Sequence, residues 1–222
     1  MNKEKTFEIM SEFENYSTQR IKQVIDWIDV NEDIRWYANS VSEFVDENIS
    51  EYYINDDYSR KSRWELWNDT LNLLLKNDIK TNLDIGCANN HFSYICNKKG
   101  IFSVGIDPRE NFVRKCHQTF EKSFGNDYYG YVGNIKTFNE FFGKYDEKLF
   151  DCVTVLNFLH GDNHITEEIK TMFTVLEKIT TYIVITEPKW DNLGLPKITD
   201  KYQFVSYIPN EVATHIVYKL DL

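Results

Sequence analysis

Apolar positions along the chain follow two different periods. From residue 82 onward, short apolar runs at 82–86, 101–107, 128–133, 149–156 and 181–187 alternate with amphipathic stretches at roughly 90–99, 109–122, 136–144 and 166–178. The runs have strand length and the stretches between them have helical spacing, so strands and helices alternate. Strands joined through helices need right-handed crossovers, which predicts a mainly parallel, doubly wound α/β sheet. The rhythm changes near residue 200. Tyr202–Ile208 and Thr214–Leu220, separated by Pro209-Asn210, predict a strand pair rather than another crossover, and 190–200, with Gly194 and Pro196, is too broken for a long helix.

The first 57 residues lack this rhythm. Ile21, Val24, Ile25 and Ile28 recur at helical spacing, Trp27 and Trp36-Tyr37 interrupt that face, and Asn55-Asp56-Asp57 ends the pattern with turn residues. We therefore expect residues 1–57 to form a helical cap over the site of the main domain, residues 58–222. That domain opens with a helix from Tyr58 to about Lys76, carrying Arg60, Lys61 and Arg63 and then the apolar Leu71, Leu73, Leu74 and Leu75.

The chemistry concentrates where the first strand of the main domain ends. Thr81–Phe92 reads as a buried strand, a tight turn at Gly86, and a helix opening near Asn89 or Asn90, where Asn can cap. Such a turn is expected to bring bare backbone N–H groups close to a ligand. About twenty residues on, Phe102–Asp107 is a second apolar strand ending in a carboxylate, the arrangement that catches both hydroxyls of a ribose. Only Gly86 of the turn is glycine, with Ala88 and Asn89 in the later places, so the Gly-x-Gly-x-x-Gly that seats a pyrophosphate is absent. Asp84 would repel phosphate but suits a cationic sulfonium ligand carrying an α-amino group.

Composition narrows the partners. At 222 residues the chain makes one domain, or one with a helical attachment, and a formal charge of −10 disfavours nucleic acid and anionic membrane surfaces. Cys87, Cys96, Cys116 and Cys152 show no Cys-x-x-Cys spacing and read as reduced thiols. The charged, amphipathic N-terminus is no signal peptide and no apolar run reaches membrane-spanning length, so a cytoplasmic location is expected.

Strand-Asp84-x-Gly86-Cys87-Ala88 followed by strand-Gly105-Ile106-Asp107 resembles the S-adenosylmethionine (SAM) site of class I methyltransferases. The resemblance covers roughly Thr81 to Leu222 and implies their Rossmann-like, mainly parallel seven-stranded sheet with an antiparallel last strand. It assigns cofactor contacts to Asp84, Gly86, Cys87, Ala88, Asp107 and the adjoining Pro108, to Asn134 beside adenine, and to Asn157 at the fourth strand exit. Arg63 or Arg60 could pair with the methionine carboxylate, because a guanidinium fork matches a carboxylate. The most polar strand exit, Asn157–His164, is where the methyl group is expected to be presented. There His160 could take a proton from an acceptor hydroxyl, His164 could bind substrate, and Glu187 could orient His160 or hold a sugar hydroxyl. His160, Asp162, His164 and Glu187 are also metal-ligand types, but their spacing is not diagnostic and methyl transfer from SAM to give S-adenosylhomocysteine needs no divalent metal.

Within that superfamily, Gly-Cys-Ala and a His after the fourth strand are similar to the methyltransferase portion of bacterial O-antigen chain terminators and of other glycan-building enzymes, which methylate sugars or sugar phosphates. One departure is Gly161, where the terminators usually carry a second His. The resemblance implies an O-methyltransferase acting on a sugar or a related small hydroxylated acceptor, standing alone or as a module of a larger enzyme. Trp27, Trp36, Tyr37, Tyr52, Tyr53 and Tyr58 supply aromatic faces of the kind that bind carbohydrate. A tRNA or small-metabolite methyltransferase would share the same cofactor residues, and so would a non-catalytic SAM-binding protein.

Overall fold

Alternation along each central strand sorts the side chains into two cores, one on either face of the sheet. A computed structural model describes residues 3–21, 58–88, 90–110, 113, 129–156, 166–188, 201–209 and 213–220. In chain order the elements are α1 (Lys3–Thr18), α2 (Tyr58–Lys76), β1 (Thr81–Ile85), α3 (His91–Lys98), β2 (Phe102–Asp107), β3 (Gly130–Val132), α4 (Ile135–Phe142), β4 (Phe150–Val155), α5 (Glu167–Ile179), β5 (Thr180–Pro188), β6 (Tyr202–Pro209) and β7 (Ala213–Leu220). Leu83, Ile85, Val104, Ile106, Val153 and Val155 face a core shared with α1, α4 and α5. Cys152, Val184 and Val217 face the other, shared with α2 and α3.

Among the described residues seven strands lie in the order β3-β2-β1-β4-β5-β7-β6. β1 to β5 pair in parallel, while β7 runs antiparallel to both of its neighbours, β5 and β6. The expected seven-stranded, mainly parallel sheet with an antiparallel last strand is therefore present, but that strand is inserted. β7 lies between β5 and β6, and β6 forms the edge. Because β1 and β4 are neighbours in the sheet while β2 and β3 run off to one side, the strand order reverses at β1, and a crevice opens there at the carboxyl ends.

α1 belongs to the main core. Phe13 is fully buried against Phe141 and Phe142 of α4, with ring centroids 5.5 and 5.3 Å away. Gly133 makes room for it, since a Cβ there would stand 2.3 Å from the Phe13 ring. The Glu14 carboxylate accepts the Val132 N–H at 3.1 Å, occupying a donor on the edge strand β3. The segment read as a cap thus begins with a helix built into the sheet's own core, and residues 22–57, including Trp27, Trp36, Tyr37, Tyr52 and Tyr53, lie outside the described residues. Among the described residues no helix is long and apolar enough to cross a membrane.

Candidate cofactor site

The turn after β1 is set by three left-handed residues at alternate positions, Gly86 (φ 73°), Ala88 (φ 50°) and Asn90 (φ 60°). Only the first is glycine, so the other two carry strain of a kind that concentrates at functional sites. The expectation of bare N–H donors is not met at Gly86, Cys87, Ala88 and Asn90. Gly86 and Cys87 both donate to the Ile106 carbonyl at 2.9 and 3.0 Å, Ala88 donates to Asp107 Oδ2 at 2.9 Å, and Asn90 donates to the Cys87 carbonyl at 2.7 Å. The described part of the turn is stitched to the end of β2. Asn90 does precede α3, but its side chain makes no capping bond. Instead it is fully buried, and neither of its amide atoms has a hydrogen-bond partner among the described residues.

Gly105 permits that stitching. A Cβ on it would stand 2.0 Å from Asn90 Oδ1 and 2.6 Å from Cys87 Sγ, so the turn lies directly on the β2 backbone. Cys87 is buried behind the turn. Asp84 lies on the α3 face of β1, 3 % exposed, where the Thr154 hydroxyl donates to its Oδ1 at 2.9 Å. Asn82 links the same stripe, donating to Ser103 Oγ at 2.9 Å and to Thr154 Oγ1 at 3.2 Å. Burial pushes the Asp84 carboxyl up to about 7, against the opposing pull of the Thr154 hydrogen bond.

Asp107 closes β2 with a carboxylate that is 2 % exposed and fully engaged. Its Oδ2 accepts from Ala88 N, and the Arg109 backbone and guanidinium supply three further bonds. Its chain neighbours Ile106 and Pro108 line a cavity of about 340 Å³ that opens at the ends of β1, β2 and β3. Ile85, Ile106, Pro108 and Ile135 give it apolar walls, and Gly86, Gly133, Asn134, Lys136 and Glu168 complete the lining. Its size is that of a small-molecule site. Asn134 sits there as the N-cap of α4: its Oδ1 accepts the Thr137 N–H at 2.9 Å, and Thr137 Oγ1 accepts the Asn134 N–H at 3.0 Å.

Of the predicted residues, Gly86, Pro108 and Asn134 come together on the cavity wall. Asp84, Cys87, Ala88 and Asp107 are not on that wall, and the last two are bonded to each other. Asn157, His160 and His164 lie outside the described residues, as does Asp162, and Arg63 on α2 and Glu187 on β5 are placed by backbone alone. Sequence reasoning missed Ile135, Lys136 and Glu168 as lining residues, and Arg109 as the partner of Asp107. The Arg109 signal was present, a cation two residues after a strand-end carboxylate. Lys136 and Glu168 follow only from how α4 and α5 start. Cys87, Cys96 and Cys152 form no disulfide among the described residues, and Cys116 lies outside them.

The sheet order and the β1 turn joined to the β2 carboxylate define the Rossmann-like fold of the class I SAM-dependent methyltransferases. Among solved structures, the fold is similar to the bifunctional kinase-methyltransferase WbdD (TM-score 0.53, 19 % identity, 82 % of this chain and 47 % of that one). It is also similar to the 16S rRNA methylase RmtB (0.60, 13 %, 86 % and 75 %) and to magnesium protoporphyrin IX methyltransferase from Synechocystis PCC 6803 with bound SAM (0.57, 16 %, 89 % and 100 %). The chain spans less than half the length of WbdD. No protein-family model matches the sequence, and no curated protein sequence matches it.

Proposed function

We propose that the protein is a SAM-dependent O-methyltransferase whose acceptor is a sugar hydroxyl of a glycan or a related small hydroxylated molecule. One observation carries the cofactor reading: the Asp107 carboxylate, held by the Ala88 N–H at 2.9 Å, lies in the chain between Ile106 and Pro108, which line an apolar-walled cavity of about 340 Å³ at the carboxyl edge of the sheet. A carboxylate there can accept the two hydroxyls of a ribose, and Ile85, Ile106, Pro108 and Ile135 offer apolar surface to a purine. The turn keeps its described N–H groups for the protein itself, which suits an adenosyl group without a pyrophosphate.

SAM, when bound, supplies a methyl group on a sulfonium sulfur. The chain's own residues bind, orient and exclude water, because displacement at that carbon depends on alignment and a dry site. Asn134 keeps its Oδ1 on the helix cap, so its amide N–H groups are the part left to face the adenine edge. Arg63 is assigned to the methionine carboxylate and Asn157 to the cofactor at the β4 exit. His160 is assigned to accept the hydroxyl proton as transfer proceeds, with His164 and Glu187 holding the acceptor.

The sugar acceptor is supported by Gly86-Cys87-Ala88 with His160 after the fourth strand and by the formal charge of −10, which disfavours an RNA acceptor. Transfer of labelled methyl from SAM to a panel of sugar glycosides, phosphorylated sugars and bulk tRNA, with and without chelator, tests it. Label in a sugar, insensitive to chelator, is the expected result. Label confined to RNA would move the acceptor to nucleic acid, and SAM binding without any transfer would leave a binding protein.

A further inference from the structure

An ionised carboxylate offers about four lone-pair positions, and this chain fills four on Asp107. Two go to backbone donors, Ala88 N–H on Oδ2 and Arg109 N–H on Oδ1, each at 2.9 Å. The other two go to the Arg109 guanidinium, with Nε–H on Oδ1 at 2.8 Å and Nη2–H on Oδ2 at 2.9 Å. A ribose diol needs two acceptor positions on the same carboxylate. The backbone pair is part of the turn and of the β2 exit, and withdrawing it would unmake both. The guanidinium rides on a flexible side chain that is 34 % exposed, so it is the group able to leave.

We propose that Arg109 is an internal competitor for the ribose seat: its fork closes on Asp107 in the ligand-free protein and swings off to admit the 2′ and 3′ hydroxyls of an adenosyl ligand. The fork has a reason to be there. A carboxylate 2 % exposed is costly without a cation or hydrogen-bond donors, and Arg109 satisfies it between ligands. The same competition weakens retention of cofactor and product alike, so Arg109 favours release of S-adenosylhomocysteine after transfer. This inference rests on the reading of the cavity as an adenosyl site.

The test is binding of S-adenosylhomocysteine, adenosine and 2′,3′-dideoxyadenosine to wild type, Arg109→Ala and Arg109→Lys, by calorimetry or ligand-observed NMR, with melting temperatures of each protein alone. S-adenosylhomocysteine and adenosine carry no net charge, so loss of the Arg109 cation does not by itself favour them. Arg109→Ala should bind both about two- to fivefold tighter, the range set by a partly exposed ion pair. Dideoxyadenosine affinity should not change, and ligand-free Arg109→Ala should melt lower than wild type. Arg109→Lys keeps the charge but loses the fork, and should show a smaller gain in the same direction. Unchanged or weaker binding of the two diol ligands by Arg109→Ala would overturn the competitor and make Arg109 a positioning group for Asp107. No binding of either by wild type would overturn the adenosyl site, and the inference with it.

Discussion

Asp84 is pushed toward neutrality by burial, and the sign of its effect on stability follows. The unfolded chain titrates this group near 3.8 and the folded protein near 7, so between those values the folded state binds a proton that the unfolded state has lost. Its contribution is whole below the lower value and declines as pH rises through the upper one, by up to about 4 kcal/mol. His215 works the other way: burial pushes its imidazole down to about 3 from 6.5, so its contribution is present above 6.5 and is lost on acidification. Urea unfolding of wild type and Asp84→Asn at about pH 5 and pH 8 separates the two groups. Between pH 5 and pH 8 the Asp84 loss and the His215 gain largely cancel in wild type, whereas the variant keeps only the gain and should become more stable by about 2 kcal/mol; parallel pH dependence in both would exclude Asp84 as the source. A second prediction concerns Gly105. Gly105→Ala drives a Cβ into Cys87 and the Asn90 amide, and should cost about 1–3 kcal/mol by urea unfolding while weakening SAM binding. Adding Asn90→Gly, which suits φ 60° and removes the atom 2.0 Å away, should recover part of both losses. These residues also show where sequence reading stops. Asp107 after an apolar run is legible because strand and carboxylate are contiguous in sequence. That Asn134 spends its Oδ1 on an N-cap, or that Arg109 folds back onto Asp107, depends on side-chain directions that spacing does not encode.

At the scale of elements, periodicity placed the strands within two residues because each is an apolar run bounded by turn residues, and it placed α2 at Tyr58–Lys76. It did not reveal that β7 passes between β5 and β6. A strand pair read locally says that two strands meet, while the seven backbone partnerships of β5 with β7, from Tyr182↔Lys219 to Pro188↔Ala213, are contacts distant in sequence. α1 has the same character. The structure buries Ile9, Met10 and Phe13 on one face of it, and nothing in their spacing says that the face meets α4 and covers the edge at β3. The consequence is testable. Phe13→Ala should lower stability by about 3–5 kcal/mol in urea unfolding, the range for a fully buried aromatic, whereas a removable cap would leave the unfolding of the sheet unchanged. Glu14→Ala, which frees the Val132 N–H, should cost about 1 kcal/mol by the same measurement.

Across the whole molecule, the cavity lies at the ends of β1, β2 and β3 and the start of α4. A ligand seated there adds its binding free energy to global unfolding, because the unfolded chain has no such seat. At a hundredfold excess over its dissociation constant, S-adenosylhomocysteine should stabilise the protein by about 2.7 kcal/mol, seen as a rise in melting temperature that grows with the logarithm of ligand concentration. Asp107→Ala should abolish that rise, since it removes the carboxylate proposed to accept both ribose hydroxyls and releases the Ala88 N–H that fixes the turn. His160→Ala should keep the rise and slow methyl transfer by about a hundredfold or more, the range for loss of a general base. The pair of variants separates holding the cofactor from spending it. A His160→Ala protein with wild-type turnover would remove His160 from proton transfer and move that role to His164 or Glu187, while an Asp107→Ala protein that is still stabilised would move the adenosyl group away from the end of β2.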